Sequence, residues 1–372
     1  MTTLPPDIKS LLALVRTLVG EVNPHWKHLH FTPDTHLERE LGLDSMARME
    51  LRSRIETLLG VTLDVETAIG AGTPNDLLQA IGKQLDSTHP GGYWQQSAAA
   101  SRQTDASNLL MGAFEQTTVD KPVVPAAGHT PGEWLYAIYA WQVFILLGLI
   151  SWVLVVFTPR ASWRRKVAHL GARLFFTCTF TPLRVTGHEH LFHDRPQVVV
   201  ANHTSYLDGF IITAALDIPI HFVVKGELSR IPPARIILER FGVEFVDRFN
   251  PHKGASTVRR IAEKSRNGQS LVFFPEGTFA SFPGLQPFRM GAFVTATRSN
   301  VAVVPVAIKG ARSIVRDKDW FPRRGKIEVS VRPPIMPEGE GWQVAIDLRD
   351  AARKEISQYC GEPDLVEGPD NT

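Results

Sequence analysis

Cysteine is nearly absent: the 372 residues include only Cys178 and Cys360, far apart and without a Cys-x-x-Cys partner. A disulfide framework and a cysteine-based structural zinc site are thereby excluded, and a reducing compartment suits the chain. A surplus of one charge is missing as well, with 40 Lys plus Arg against 38 Asp plus Glu. No global field recruits nucleic acid, and no such partner is expected. Met1 to Asp7 lack a basic stretch followed by an apolar core, so no secretory signal peptide is expected. The loop histidines His25, His28, His30 and His36, and later His188, His190 and His193, have no regular ligand spacing, and no metal site is expected from them.

The length exceeds what one hydrophobic core usually serves, so two domains or more are expected. Charge divides along the chain: residues 1–85 hold 8 basic and 11 acidic side chains, which leaves 32 and 27 in the remainder. Within the acidic front, Ile8, Leu11, Leu12, Val15, Leu18 and Val19 recur at helical spacing, as do Met46, Met49, Ile55, Leu58 and Leu59. Thr73-Pro74 opens a further helix carrying Leu77, Leu78 and Ile81. These segments predict a small all-α, four-helix bundle. Before its second helix stands Glu40-Leu41-Gly42-Leu43-Asp44-Ser45-Met46, which resembles the attachment motif of acyl carrier proteins, with Met46 where Leu is usual. The resemblance implies that Ser45 carries 4'-phosphopantetheine, installed by a phosphopantetheinyl transferase. A phosphodiester there would sit against backbone N–H groups at the positive end of a helix.

Residues 86–132 turn to Ser, Thr, Gln, Ala, Gly and Pro, a composition that buries too little to offset ordering and reads as a flexible linker. Leu135 to Phe157 then carries no charge and has aromatic residues near its ends, enough to span a bilayer with some tilt. Arg160, Arg164, Arg165 and Lys166 follow it and orient the back half toward the cytoplasm, at a cytoplasmic membrane. A single crossing would part the front bundle from the back half. A segment that dips in and returns, or one that pairs with the amphipathic stretch Trp163 to Phe180 as a hairpin anchored in one leaflet, is therefore the favoured arrangement over residues 133–181.

From Leu183 onward, strand-like runs alternate with helical stretches near 206–216, 228–240, 253–266 and 342–358, which predicts an α/β domain over 182–360 with a central mixed sheet. Residues 361–372 read as a disordered tail. Directly after the apolar run Val198 to Ala201 comes Asn202-His203-Thr204-Ser205-Tyr206-Leu207-Asp208. A histidine at a strand end with a carboxylate five residues on can be held as an oriented general base.

Gly242 to Arg248, Phe273-Phe274-Pro275-Glu276-Gly277-Thr278 and Val304 to Ile308 follow in order, each at or just after a strand-like run. Together the four blocks resemble the glycerolipid acyltransferase family that includes 1-acylglycerol-3-phosphate acyltransferases, over about residues 160 to 335. The resemblance implies transfer of an acyl thioester to a lysophospholipid-type hydroxyl, with His203 as base and Asp208 fixing its tautomer, without an acyl-enzyme. It further implies that Arg248 and the turn Glu276-Gly277-Thr278 hold the acceptor, with Arg289 and Lys225 as further bases for an anionic headgroup. Membrane lipids and an acyl donor thioester are the implied partners. A fused carrier departs from the family pattern and leaves room for a specialised-lipid or lipopeptide acceptor. Two rival readings are a non-catalytic, membrane-anchored acyl carrier and a hydrolase in which His203 activates water.

Overall fold

The computed structural model describes residues 8–23, 26, 31–38, 40–59, 62–64, 70–88, 129–246, 251–278, 283–316 and 319–365. In the front part lie α1 (Ile8–Val22), α2 (Ser45–Leu59) and α3 (Pro74–Thr88). They close on a core of Leu11, Val15, Leu18, Leu41, Leu51, Ile55, Leu77 and Ile81. The expected fourth helix lies outside the described residues, as do 89–128 of the expected linker 86–132, whose ends are corrected: α3 continues to Thr88 and the next helix already starts at Pro131. Thr73 and Asp76 cap α3 reciprocally: Asp76 N–H donates to the Thr73 hydroxyl, and Thr73 N–H to the Asp76 carboxylate.

One expectation about α2 is corrected. Its inward face consists of Ala47, Leu51 and Ile55, spaced four apart, while Met46 and Met49 turn away from the bundle and Leu58 is exposed. Periodicity marks apolar positions, and this helix has two apolar faces because it has two neighbours.

A capping box between Thr130 and Glu133, with Pro131 in the first turn, starts α4 (Pro131–Phe157). The chain reverses over Thr158 to Arg160 and returns as α5 (Ala161–Cys178), packed along α4. Tyr136 and Tyr139, near the start of α4, donate to the carbonyls of Thr179 and Cys178 at the end of α5, at 3.0 and 2.8 Å. The two helices therefore form an antiparallel hairpin. Among the described residues α4 is the one helix long and apolar enough to cross a membrane, and little of it is buried in protein.

The remainder is an α/β domain. Its strands are β1 (Leu183–Thr186), β2 (Val198–Ala201), β3 (Ile220–Lys225), β4 (Glu244–Val246), β5 (Ser270–Phe273), β6 (Val303–Lys309) and β7 (Ile327–Val331). They form one sheet in the order β1-β7-β6-β2-β5-β3-β4, parallel except for the β6–β7 pair. Helices α6 (Asp208–Ala215), α7 (Pro232–Arg240), α8 (Pro251–Arg266), α9 (Gly291–Ser299) and α10 (Trp342–Cys360) join it. The central strand β2 sends Val199 and Ala201 into one core layer and Val198 and Val200 into the other. Burial on both faces is why it reads as an unbroken apolar run.

Helix α9 was not expected from its sequence, Gly-Ala-Phe-Val-Thr-Ala-Thr-Arg-Ser, whose β-branched and aromatic residues suit a strand. Burial of Ala292, Phe293, Ala296 and their neighbours on one face overrides that preference. The tail is also corrected in part. Residues 361–365 are bound, with Asp364 paired to Arg353 and Leu365 N–H donating to the Leu285 carbonyl.

Candidate active site

Strands β2 and β5 lie side by side and parallel, with Val200 opposite Phe273, so the segments that leave their carboxyl ends emerge together. That register brings His203 and Glu276 into contact, as expected for a site at strand ends in an open α/β sheet. His203 Nδ1 lies 2.8 Å from Asp208 Oδ2, and Asp208 is fully buried. The same carboxylate oxygen accepts the backbone N–H groups of Thr204 and Ser205 at 2.6 and 2.9 Å. Asp208 also opens α6, where a negative charge suits the helix dipole. A buried aspartate so placed fixes the ring orientation and favours the tautomer protonated at Nδ1. The imidazole stacks on Phe274, centroids 4.6 Å apart.

Glu276 is buried, and both its oxygens are engaged by backbone: Oε1 by His203 N–H at 2.5 Å and Oε2 by Gln286 N–H at 2.9 Å. Desolvation pushes its carboxyl up to about 7, although these two N–H donors favour the charged form. Glu276 thus braces the histidine loop. Gly277 adopts φ +78°, a left-handed conformation that glycine takes without a Cβ penalty, and Thr278 beyond it is exposed.

The other implied site residues are less converged. Lys225 closes β3 at the sheet edge where β2 and β5 end, since the three strands run parallel. Arg248 lies outside the described residues. Arg289 is exposed and lines a cavity of about 700 Å³ together with Trp26, Asp44, Glu276 and Arg353. Among the described residues no cluster of His, Cys, Asp and Glu could hold a metal, and His25, His28 and His30 lie outside the described residues.

Ser45 is half-buried at the start of α2, its hydroxyl bonds to no described residue, and Asp44 beside it borders the same cavity. These residues suit a covalently attached prosthetic arm. The N–H expectation needs revision, because Asp44 Oδ1 already accepts from Met46 and Ala47 N–H at 3.0 and 2.9 Å. Asp44 is the cap, and a phosphodiester on Ser45 cannot use those two donors.

Several residues had no assigned role from sequence. Asn202, fully buried, exchanges two hydrogen bonds with the backbone of Ile308 and ties the histidine loop to β6. Ser205 donates to the Val315 carbonyl at 3.0 Å. Arg353 grips the Leu285 carbonyl and Asp364, which steadies the segment that supplies Gln286 N–H to Glu276. Asn202 and Ser205 stand inside the histidine motif, where their polarity beside an apolar strand was the available signal.

Comparison with known proteins agrees with this geometry. Residues 182–309 match the family model described as Acyltransferase, and residues 11–81 the one described as Phosphopantetheine attachment site. The chain is 29% identical over 262 residues to a chloroplastic 1-acyl-sn-glycerol-3-phosphate acyltransferase, BAT2, of Brassica napus, covering 68% of this chain and 74% of that protein. It is 31% identical over 178 residues to the chloroplastic 1-acyl-sn-glycerol-3-phosphate acyltransferase LPAT1 of Arabidopsis thaliana, covering 46% of this chain and 50% of that one. The chain thus spans between half and three-quarters of these relatives. In fold it resembles the 1-acyl-sn-glycerophosphate acyltransferase PlsC of Thermotoga maritima, with TM-score 0.52 and 24% identity over 61% of this chain and 94% of that one.

Proposed function

We propose that this chain, which joins an acyltransferase domain to a phosphopantetheine attachment domain, moves a fatty acyl group from a phosphopantetheine thioester to the hydroxyl of a lysophospholipid of the 1-acylglycerol-3-phosphate class. The single observation that carries the reading is the His203–Asp208 pair at 2.8 Å, with the aspartate buried and locked by two backbone N–H groups. Nδ1 is committed to Asp208, so Nε2 takes the proton of the acceptor hydroxyl, and Asp208 offsets the charge as the imidazolium forms. The hydroxyl oxygen bonds to the acyl carbon and the thiolate leaves, the imidazolium returning its proton to that sulfur. Attached to Ser45, the prosthetic group would supply the activated thioester and the reach to present it. Glu276 holds the histidine backbone in place, and Lys225 with Arg248 is our candidate set for the acceptor's phosphate.

The hairpin of α4 and α5 is proposed to lie in one leaflet, with the site near headgroup level. Two observations support it. The helices return to the same end, and the front bundle packs against the catalytic part, which a single crossing between them would forbid. The positive charges that follow α4 favour the cytoplasmic face.

The test uses full-length protein coexpressed with a phosphopantetheinyl transferase and loaded with a labelled acyl chain. Intact mass should show the pantetheine increment on wild type and not on Ser45→Ala. Label should pass to lysophospholipid in mixed vesicles, and His203→Ala should slow that transfer by about 10²- to 10⁴-fold. Equal transfer by the mutant would rule out the mechanism, and release of free fatty acid regardless of lysolipid would favour hydrolysis. The fused carrier favours one second reading, a specialised-lipid or lipopeptide acceptor, which lipid profiling with and without the chain would distinguish.

A further inference from the structure

The residue after the attachment serine is not part of the front bundle's core. Met46, 9% exposed, belongs to the core layer of the catalytic domain, among Val258 of α8 and Phe288, Met290 and Phe293. Met49, one turn on, packs on the same layer, and α2 lies along α8. The residue before the serine is engaged too: Asp44 Oδ2 accepts the backbone N–H of Met290 at 3.1 Å. Both neighbours of Ser45 therefore hold one corner of the catalytic domain.

A second clamp closes from the other side. Arg349 of α10, 4% exposed, donates to the carbonyls of Val22 and Glu21 at 2.7 and 3.1 Å, at the carboxyl end of α1. Those carbonyls carry the negative end of the helix dipole, which suits a guanidinium. Arg349 also touches the Met290 sulfur at 3.7 Å, so the two clamps meet. From this corner the backbone leads straight to the reacting histidine. Arg289, next to Met290, donates its N–H to the Pro275 carbonyl, and Glu276, next to Pro275, accepts from His203 N–H.

We infer that the Met290 corner is a docking site for this chain's own carrier domain, seated there by Asp44 and Met46, and that the fused carrier is thereby the preferred donor over a carrier supplied by another molecule. The inference rests on the acyl-transfer reading above and adds to it the identity of the donor. Asp44 serves twice, capping α2 with one oxygen and docking with the other. Met46 replaces the usual leucine with a longer, unbranched side chain that adapts to a recess on another domain. Asp44, Met46 and Arg349 are positioning residues, since none of them touches the reacting groups. The cavity that the docked domains enclose, bordered by Asp44 on one side and Glu276 on the other, gives the arm a path toward the site.

The test compares wild type, Met46→Leu, Met46→Glu and Val258→Glu as full-length, loaded protein. Hydrogen exchange should show at least ten-fold faster exchange at amides 288–294 in both Glu variants, with Val15, Leu18 and Val19 still protected as proof that the carrier is folded. Met46→Leu should match wild type. In single turnover, Met46→Glu should transfer its own acyl group at least ten-fold more slowly. Mixing loaded His203→Ala chain with Ser45→Ala chain should give transfer at least ten-fold slower than wild type, because the donor then sits on another molecule. Wild-type protection at 288–294 in both Glu variants, or mixed-chain transfer at the intramolecular rate, would overturn the docking. Failure of the parent reading is separable: it appears as undiminished transfer in the His203→Ala chain by itself, while hydrogen exchange judges the docking without any turnover.

Discussion

At the scale of single residues the site depends on two carboxylates with different tasks. Asp208 gives one oxygen to the imidazole and to two backbone N–H groups, so its charge is held where the proposed transfer would form an imidazolium. Glu276 gives both oxygens to backbone N–H groups, those of His203 and Gln286. The resemblance implies an acceptor-holding role for Glu276, and its hydrogen bonds in addition tie it to the backbone of His203. Burial raises its carboxyl from the ordinary 4.5 to about 7. A carboxyl raised on folding contributes stability that is fully present below about pH 4.5 and is lost as pH rises through about 7. Unfolding stability should therefore fall between pH 5 and pH 8, by up to about 3 kcal/mol. Glu276→Gln stays neutral and should flatten that slope, which denaturant titrations at the two pH values would measure. An unchanged slope would mean that Glu276 is ionised throughout.

At the scale of elements the hairpin carries the largest apolar display. Leu146 and Leu149 of α4 are each 60% exposed, and Trp163 and Leu170 of α5 are exposed as well. Exposure of this extent marks an interaction surface. At the catalytic side the same surface continues: Trp141 donates to the Trp320 carbonyl, and Tyr206, three residues after His203, stacks on Trp320 at 4.8 Å. Leu146→Asp with Leu149→Asp should weaken sedimentation with lipid vesicles at least ten-fold, since burying each leucine is worth about 1.5–3 kcal/mol. Protein that still sediments as wild type would place the membrane contact elsewhere.

Much at this scale was legible. The apolar run of β2, the uncharged stretch of α4 and the Thr73-Pro74 start of α3 each follow from local chemistry. Helix α9 and the outward face of α2 were not legible, because Phe293 and Met46 are placed by neighbours distant in sequence.

At the scale of the whole molecule, three parts are assembled around one corner. The front bundle holds the catalytic domain through Asp44, Met46 and Arg349, and the hairpin holds it through His169 and Arg173, which contact the carbonyls of Thr213 and Ala214 behind Asp208. Such an assembly requires the bundle and the catalytic domain to share one side of the membrane. Single-cysteine variants at the exposed Thr17 and Asp217, made with Cys178 and Cys360 replaced, should react equally with an impermeant thiol reagent in sealed vesicles of either orientation. Opposite labelling of the two positions would refute the one-leaflet hairpin.

The sequence by itself determined the parts and their chemistry: a serine at a helix start, a histidine and aspartate at a strand end, an apolar stretch, and the turns and caps that bound them. These depend on residues within a few positions of one another, and short-range sterics and hydrogen bonding suffice to specify them. Only the tertiary structure decided the partners. Parallel pairing of β2 with β5 put Glu276 under the backbone of His203, and packing of α2 on α8 turned Met46 away from its own bundle. Contacts across 73 residues of chain, or across the 246 between Asp44 and Met290, leave no local pattern, because which buried surface meets which is fixed only when the layers close.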